Sequence, residues 1–506
     1  MSQDYLKLIQ NLKKTKTLES IMHLLDWDQE TVMPKNGLKI RSQQNAELSM
    51  VIHQKKTAKS FENLLKKCIN LKTHHIKIKN LSSREEANLR LITEDFLKSK
   101  KLPSKFVKNL AELKSNSTPA WAKAKEENRF KDFAPYLEKM VEAMKKQADY
   151  LQYEDHPYDA LLDLYEPKIT VKTLNSLFKE LKTGLLSITK EVFVKPSAND
   201  TILKQPLDEQ DQLDYCRSLL KTLSLDQTIA RLDTSAHPFC NTISNGDIRL
   251  TTHIKKTGFF NSISSTLHEC GHAIYEAGLI EEDFGTPVGE ACSLGIHESQ
   301  SRLFETFIGQ SRPFVHFLAK NLKGKLSNLN PELLYKAINK VEPSLIRIES
   351  DEVTYCLHIM LRYELEKKLI EGKLKVKELN EAWNEGMKNY LGIVPPSDTE
   401  GVLQDIHWSL GLFGYFPTYA LGNLYAAQIY EKLSIQFKDL NLKIAEGEFE
   451  SIIRWLNKHI HEKGREKAPQ VLIQEAVSIP KLSSGCVFNG GKWISAYDGL
   501  ATTDYS

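Results

Sequence analysis

Apolar residues recur at three- and four-residue steps from the start of the chain. Tyr5, Leu6, Ile9 and Leu12, then Leu18, Ile21, Met22 and Leu25, mark one face of a helical pattern. Pro34 and Gly37 interrupt it, and the spacing then predicts a long helix over residues 38–66. Further helices are predicted over 84–97, 104–113, 118–128 and 133–151. Pro103, Pro119 and Pro135 sit near their starts, where a missing N–H costs least. Residues 171–193 and 209–223 continue the pattern. Between Ala236 and Ile254 the helical period fails. Gly246-Asp247 is a turn signal, after which Ile248, Leu250, Thr252 and Ile254 alternate with Asp247, Arg249, Thr251 and His253. That alternation predicts one half-buried strand. Helices resume over 289–310, 331–341, 351–371, 376–391, 419–437 and 449–461, without a fixed repeat. The class is mainly α, with a small β-sheet.

Length alone argues for about three domains, yet no Gly/Ser- or Pro-rich linker divides the chain. Residues 1–506 therefore read as a single catalytic unit, expected as two helical lobes flanking a cleft. Hydrophobic residues make up 41% and charged residues 26%, enough to bury a large core. The formal charge is +3, from 68 basic and 65 acidic residues. Lys13–Lys16 and the lysines between Lys66 and Lys79 read as solvated faces, so no nucleic-acid partner is expected. The seven cysteines (Cys68, Cys216, Cys240, Cys270, Cys292, Cys356 and Cys486) are widely spaced, with no Cys-x-x-Cys. A reduced, cytoplasmic chain fits them. The amino terminus has no apolar leader core, and no apolar run is long enough to span a membrane.

Chemistry enters at His268-Glu269-Cys270-Gly271-His272, a His-Glu-x-x-His signature on a predicted helix. Residues four apart lie on one face, about 6 Å along the axis. Two imidazoles so placed can share a metal ion, with Glu269 beside them. A catalytic site needs a third protein ligand and an open position. Glu276 lies two turns from His268, about 12 Å away, too far to share the ion. Glu281, Glu282 and Asp283 fall in a loop. Glu298 sits on the next helix, which otherwise turns Leu294, Leu303 and Phe307 to the core. His268, His272 and Glu298 are thus the expected metal ligands, with Zn²⁺ the expected ion and Glu269 the general base for water attacking a polarised carbonyl. Cys270, about 200° round the helix from His268, is expected as a buried thiol.

Five ordered motifs give these residues a family context. His237-Pro238-Phe239, then Asp247-Ile248-Arg249-Leu250-Thr251, precede the His268–His272 motif. That motif is counted together with its downstream His297-Glu298-Ser299, and after it come Ile346-Arg347-Ile348-Glu349-Ser350-Asp351, and Gly401 to Trp408 with Gln404, Asp405 and His407. The set resembles the carboxypeptidase Taq family of metallocarboxypeptidases (M32), over about residues 5–478. Ser350 departs from the family's Ala, and residues 480–506 form an atypical tail. The resemblance implies a two-lobed helical metallopeptidase fold similar to neurolysin and the angiotensin-converting enzymes, with a deep groove and the sheet beside the His268 helix. It also implies removal of single residues from peptide carboxyl termini with broad specificity, a homodimer, and activity with Zn²⁺ or Co²⁺.

Roles follow residue by residue. Arg347 is the expected anchor for a substrate α-carboxylate, since a guanidinium offers a fixed two-pronged donor. Asp351 either orients Arg347 or caps the following helix. His407, with Tyr415 or Tyr419, is expected to donate to the substrate carbonyl or oxyanion. Asp247, Arg249 and Thr251 either line the substrate groove or hold the strand to a neighbouring helix, and His237 is a turn or groove-wall residue. Two other readings compete: an oligopeptidase cutting inside short peptides, and a non-catalytic helical scaffold that binds peptides. An intact Glu269 argues against the scaffold.

Overall fold

A computed structural model describes residues 2–326 and 329–477. Helices dominate, and several begin where a side chain satisfies the otherwise unpaired amide groups of the first turn. Asp208 accepts from Gln210 N and Asp211 N to open Glu209–Thr222, and Ser293 accepts from Ile296 N to open Leu294–Arg302. The helices expected from apolar spacing are present, with informative differences at their ends. The stretch 38–66 is two helices, Leu38–Thr57 and Lys59–Cys68, parted at Ala58, whose ψ of 140° is extended. The break lets Phe61, Leu65 and Cys68 join Tyr5, Leu8, Leu89 and Ile92 in one core cluster. Conversely, 104–113 and 118–128 form one continuous helix, Ser104–Glu126, running through Pro119. Tertiary bonds hold its second half in place: Trp121 Nε1 donates to Leu403 O (3.0 Å) and Lys125 Nζ to Gln404 O (2.9 Å). Local spacing sees neither. The helix expected over 289–310 is a short 3₁₀ turn, the helix Leu294–Arg302 and a π-helical segment, Leu303–Ile308.

The expected strand is the centre of a three-stranded sheet: β1 (Ala230–Thr234), β2 (Cys240–Ser244) and β3 (Asp247–Thr252), in the order β1-β3-β2. β1 runs parallel to β3, pairing Ala230 with Ile248, and β2 runs antiparallel, pairing Cys240 with Leu250. Alternation holds at first, with Ile248 and Leu250 fully buried between the half-buried Asp247 and Arg249. It fails at Thr251 and Thr252, both fully buried, because both faces are covered there. Thr252 Oγ1 donates to Ser262 O (3.1 Å), tying the sheet to the His268 helix, Phe259–Ala277. The small sheet beside that helix is as the sequence predicts.

The chain divides into two compact units. One draws on the described residues within 2–100, 201–335 and 428–477, and contains the sheet and the His268 helix. The other draws on Lys101–Asp200 and Lys336–Ala427. Its middle is the helix Glu352–Ile370, where Tyr355, Cys356, Leu357, His358, Ile359, Arg362 and Glu366 are all buried. A helix buried on every side shows little amphipathic periodicity. No described helix is long and apolar enough to cross a membrane.

Candidate active site

His268 and His272 lie one turn apart on the helix Phe259–Ala277, and Glu298 reaches them from the helix Leu294–Arg302. Gly271 makes the approach possible. A Cβ there would stand 2.4 Å from Gln300 O and 2.5 Å from Ser301 Cα, so only glycine lets the helices meet this closely. His268 Nε2 and His272 Nε2 then face the same oxygen, Glu298 Oε2, at 3.8 and 3.7 Å. All three donor atoms lie within 4.8 Å of one another. These separations are too long for hydrogen bonds. They suit donors around one ion, because bonds of about 2.0–2.2 Å at tetrahedral angles set donors roughly 3.4 Å apart.

The other ring nitrogens are engaged as such a site requires. His268 Nδ1 pairs with Glu305 Oε2 at 2.7 Å, and Arg302 Nη1 donates to the same oxygen at 2.7 Å. His272 Nδ1 lies 2.6 Å from His297 Nδ1, whose Nε2 is 2.8 Å from Glu276 Oε1. Glu276 thus pairs with His297 and stands outside the cluster of His268, His272 and Glu298. Glu305 and His297 were not anticipated. The signals were present: Glu305 is two turns beyond Glu298, and His297 stands beside it in the quoted motif. Leu294, expected in the core, is 37% exposed, whereas Leu303 is fully buried. The helix is instead buried nearly all round, at Gly295, Ile296 and every position from Glu298 to Arg302.

Carboxylates crowd this pocket. Burial raises Glu269 to about 7, with Glu298 and Glu305 adding to the rise and His268 opposing it. Burial also raises Glu298. Glu305 stays ionised against burial, at about 2, because Arg302 and His268 face it. His268 is held at about 9: burial favours its neutral form, but Glu305 and Glu298 override it. Burial, with His297 and His268 beside it, holds His272 well below the usual imidazole range, so the carboxylates favour positive charge at His268 while His272 stays neutral, as a metal ligand must. Cys270 is fully buried, as expected.

The strand residues are placed as follows. Arg249 pairs with Asp247 through two bonds of 2.8 Å, and its guanidinium stacks 4.4 Å from the Trp27 ring. Thr251 is fully buried; its hydroxyl lies 2.7 Å from Ser235 Oγ and accepts from Phe239 N (3.0 Å). Thr251 thus holds the strand to the 235–239 loop rather than to a neighbouring helix. His237 in that loop is exposed, and its carbonyl accepts from Ser235 Oγ.

In the second unit, Arg347 is 6% exposed. Its Nε and Nη2 donate to Asp405 Oδ1 (3.0 and 2.8 Å), its Nη1 to Tyr355 Oη (3.2 Å), and it lies 5.0 Å from the Tyr419 ring. Arg362 donates to the other Asp405 oxygen (2.6 Å) and to Gln404 Oε1 (2.7 Å). Two guanidinium groups hold Asp405 well below the usual carboxylate range, against burial. Asp351 caps the helix Glu352–Ile370 through Val353 N and Thr354 N, so of the two roles open to it, it takes the cap. Asp405, present in the quoted motif but given no role, is the residue that orients Arg347.

His407 Nε2 lies 3.1 Å from Tyr419 Oη. Tyr415 meets both by ring contact, at 5.5 Å from His407 and 5.2 Å from Tyr419. Burial lowers His407 to about 3, with Arg347 and Arg362 adding to the effect and Asp405 opposing it. The loop carrying these groups is pinned by Glu366, which accepts from Trp408 Nε1 (2.8 Å), Gly414 N (2.9 Å) and Tyr158 Oη (2.5 Å). Gly414 has φ +90°, and a side chain there would press on the Leu161–Leu162 backbone.

A helical fold with a His-Glu-x-x-His helix, a carboxylate from the next helix and a small sheet alongside defines a metallopeptidase. The family model described as Carboxypeptidase Taq (M32) metallopeptidase matches residues 7–486. The chain is 36% identical over 470 residues to Carboxypeptidase 1 of Bacillus subtilis, covering 92% of this chain and 93% of that protein. It is 38% identical over 483 residues to Thermostable carboxypeptidase 1 of Thermus thermophilus, covering 93% and 94%. The solved structure of the Pyrococcus furiosus carboxypeptidase, described as Apo-Mg, superposes with a TM-score of 0.92 at 34% identity, over 98% of this chain and 99% of that one. The M32 carboxypeptidase of Deinococcus radiodurans gives 0.93 at 30% identity, over 98% and 100%. The chain belongs to the carboxypeptidase Taq (M32) metallopeptidase family. It is a peptide hydrolase, a metallocarboxypeptidase, and its family implies a divalent metal.

Proposed function

We propose that this enzyme is a zinc-dependent carboxypeptidase of broad specificity that removes single residues from the carboxyl ends of peptides. The observation that carries the metal assignment is the convergence of His268 Nε2 and His272 Nε2 on Glu298 Oε2. His268, His272 and Glu298 would hold the ion. When bound, it supplies Lewis-acid chemistry, acidifying water and polarising the scissile carbonyl. Co²⁺ can substitute, because imidazole and carboxylate donors do not discriminate sharply between the two.

Glu269 takes a proton from the attacking water and returns it to the leaving amine. Arg347, held by Asp405, recognises the free carboxylate that distinguishes a chain end from an internal peptide bond. Two guanidinium groups around one ionised Asp405 support this reading, since they leave attraction for a further anion. His407 is neutral and bonded to Tyr419, so this pair, rather than Tyr415, is proposed to donate to the carbonyl oxygen. Asp247 and Arg249 are proposed as substrate contacts and Thr251 as their support, with His237 exposed beside them. The proposal includes the homodimer that the resemblance implies. It also includes the cytoplasmic setting that widely spaced cysteines without a Cys-x-x-Cys favour.

Mass spectrometry of products from one decapeptide, with the zinc-loaded enzyme, tests the reading. The expected outcome is a ladder losing one residue at a time from the carboxyl end. Internal fragments would make the enzyme an oligopeptidase instead, and no cleavage with no bound metal would restore the scaffold reading.

A further inference from the structure

We propose that His297 and Glu276 form a relay that fixes the proton on His272 Nδ1 and so reserves His272 Nε2 for the metal. The inference rests on the proposed ligand set and names two positioning residues for it. His272 Nδ1 is 2.6 Å from His297 Nδ1, and His297 Nε2 is 2.8 Å from Glu276 Oε1. A bond between two Nδ1 atoms needs one proton, and the ring that keeps it decides which His272 nitrogen is bare.

The far end of the relay settles the direction. A carboxylate oxygen accepts, so the 2.8 Å contact with Glu276 Oε1 puts a hydrogen on His297 Nε2. With its hydrogen there, His297 presents Nδ1 as the acceptor for His272 Nδ1–H. His272 Nε2 is left without a proton, facing Glu298 Oε2 at 3.7 Å. The reverse order, with Nδ1–H of His297 donating, would place the hydrogen of a neutral His272 on Nε2 and block it as a ligand. His268 needs no such intermediary, because Glu305 reaches its Nδ1 directly. The two ligands thus have different supports, a carboxylate for one and an imidazole backed by a carboxylate for the other. Packing holds the relay in line: the His297 ring lies 4.5 Å from the His272 ring and 5.3 Å from that of Tyr275. Glu276 sits one turn beyond His272 on the same helix.

The test compares Zn²⁺ dissociation constants, from competition with a chelator, for wild type, His297→Phe, His297→Asn and His272→Ala. Phe keeps the ring contacts and removes the acceptor, and Asn places a carbonyl oxygen close to where Nδ1 stands. The expected result is a ten- to hundredfold weaker constant for His297→Phe, largely restored in His297→Asn. Nitrogen-15 histidine spectra of the zinc-loaded wild type should show His272 protonated at Nδ1. If His297→Phe binds zinc like wild type while His272→Ala loses it, the relay is wrong and the ligand set stands. If His272→Ala also binds like wild type, the ligand set itself fails. Glu276→Leu gives the same comparison if His297→Phe does not fold: unchanged zinc affinity overturns the relay, and a tenfold or greater loss supports it.

Discussion

Glu305 Oε2 lies 2.7 Å from His268 Nδ1, joining the π-helical segment Leu303–Ile308 to the His268 helix. Arg302 shares that oxygen, so the carboxylate is oriented before it orients the imidazole. Replacing Glu305 with Leu leaves His268 free to turn and leaves Arg302 without this partner. The expected outcome is zinc binding weaker by ten- to a hundredfold, read by chelator competition. Glu305→Gln, which keeps an acceptor without the charge, should fall between Leu and wild type.

Gly271→Ala should damage the site without touching a donor atom. Its Cβ would lie within 2.4–2.7 Å of the Gln300 and Ser301 backbone, which cannot swing aside as a side chain could. Overpacking of this kind costs about 1–3 kcal/mol, read as a lower unfolding midpoint. Because relief requires the Glu298 helix to move away, zinc affinity should fall together with stability. Equal metal binding at reduced stability would mean the helices separate elsewhere.

Arg347 and Arg362 share Asp405, and removing that carboxylate leaves two buried cations facing each other. Asp405→Ala is expected to destabilise the fold by about 3–5 kcal/mol, measured by urea unfolding. Arg347→Ala should be milder for the fold and selective in catalysis. Its kcat/KM should drop most on peptides with a free carboxyl end, narrowing the difference between free and amidated substrates. If wild type cleaves both equally, Arg347 anchors no carboxylate.

Three buried histidines predict acid sensitivity. Burial is the leading cause that lowers His358, His407 and His461 to about 3 each. Between pH 6.5 and 3 the unfolded chain binds protons at these rings that the folded chain refuses. Their stabilising contribution is therefore full above pH 6.5 and is lost as pH falls toward 3, by about 1.4 kcal/mol per pH unit for each ring. His358 isolates the effect, since its Nε2 donates to Ser344 O (3.0 Å) and its Nδ1 is unpartnered. Unfolding of His358→Gln across that range should show a slope shallower by one proton. An unchanged slope would mean that His358 is protonated in the folded chain.

Local chemistry was legible in the sequence wherever it depends on one element's geometry. His268 and His272 share a face because a helix turns once in 3.6 residues, and the return of the chain to Glu298 needed only a plausible next helix. The alternation from Asp247 to Leu250 marked β3 for the same reason. What the sequence could not tell was which elements meet. Helix 104–126 runs through Pro119 because Trp121 and Lys125 bond to residues 403 and 404, and nothing within a window around Pro119 reports that.

By itself, then, the sequence determined the mainly helical class and singled out the proposed metal donors and base, from spacing along a helix and the helix that follows it. Only the tertiary structure brought a partner to Nδ1 of each histidine, Glu305 for His268 and His297, backed by Glu276, for His272. It alone paired Arg347 with Asp405 rather than Asp351, and His407 with Tyr419. These partners lie 37 residues apart for His268 and Glu305, 25 for His272 and His297, and 58 for Arg347 and Asp405. Periodicity repeats every two or four residues, so it states which face of an element is buried. What lies against that face is set by packing, and packing is a property of the whole fold.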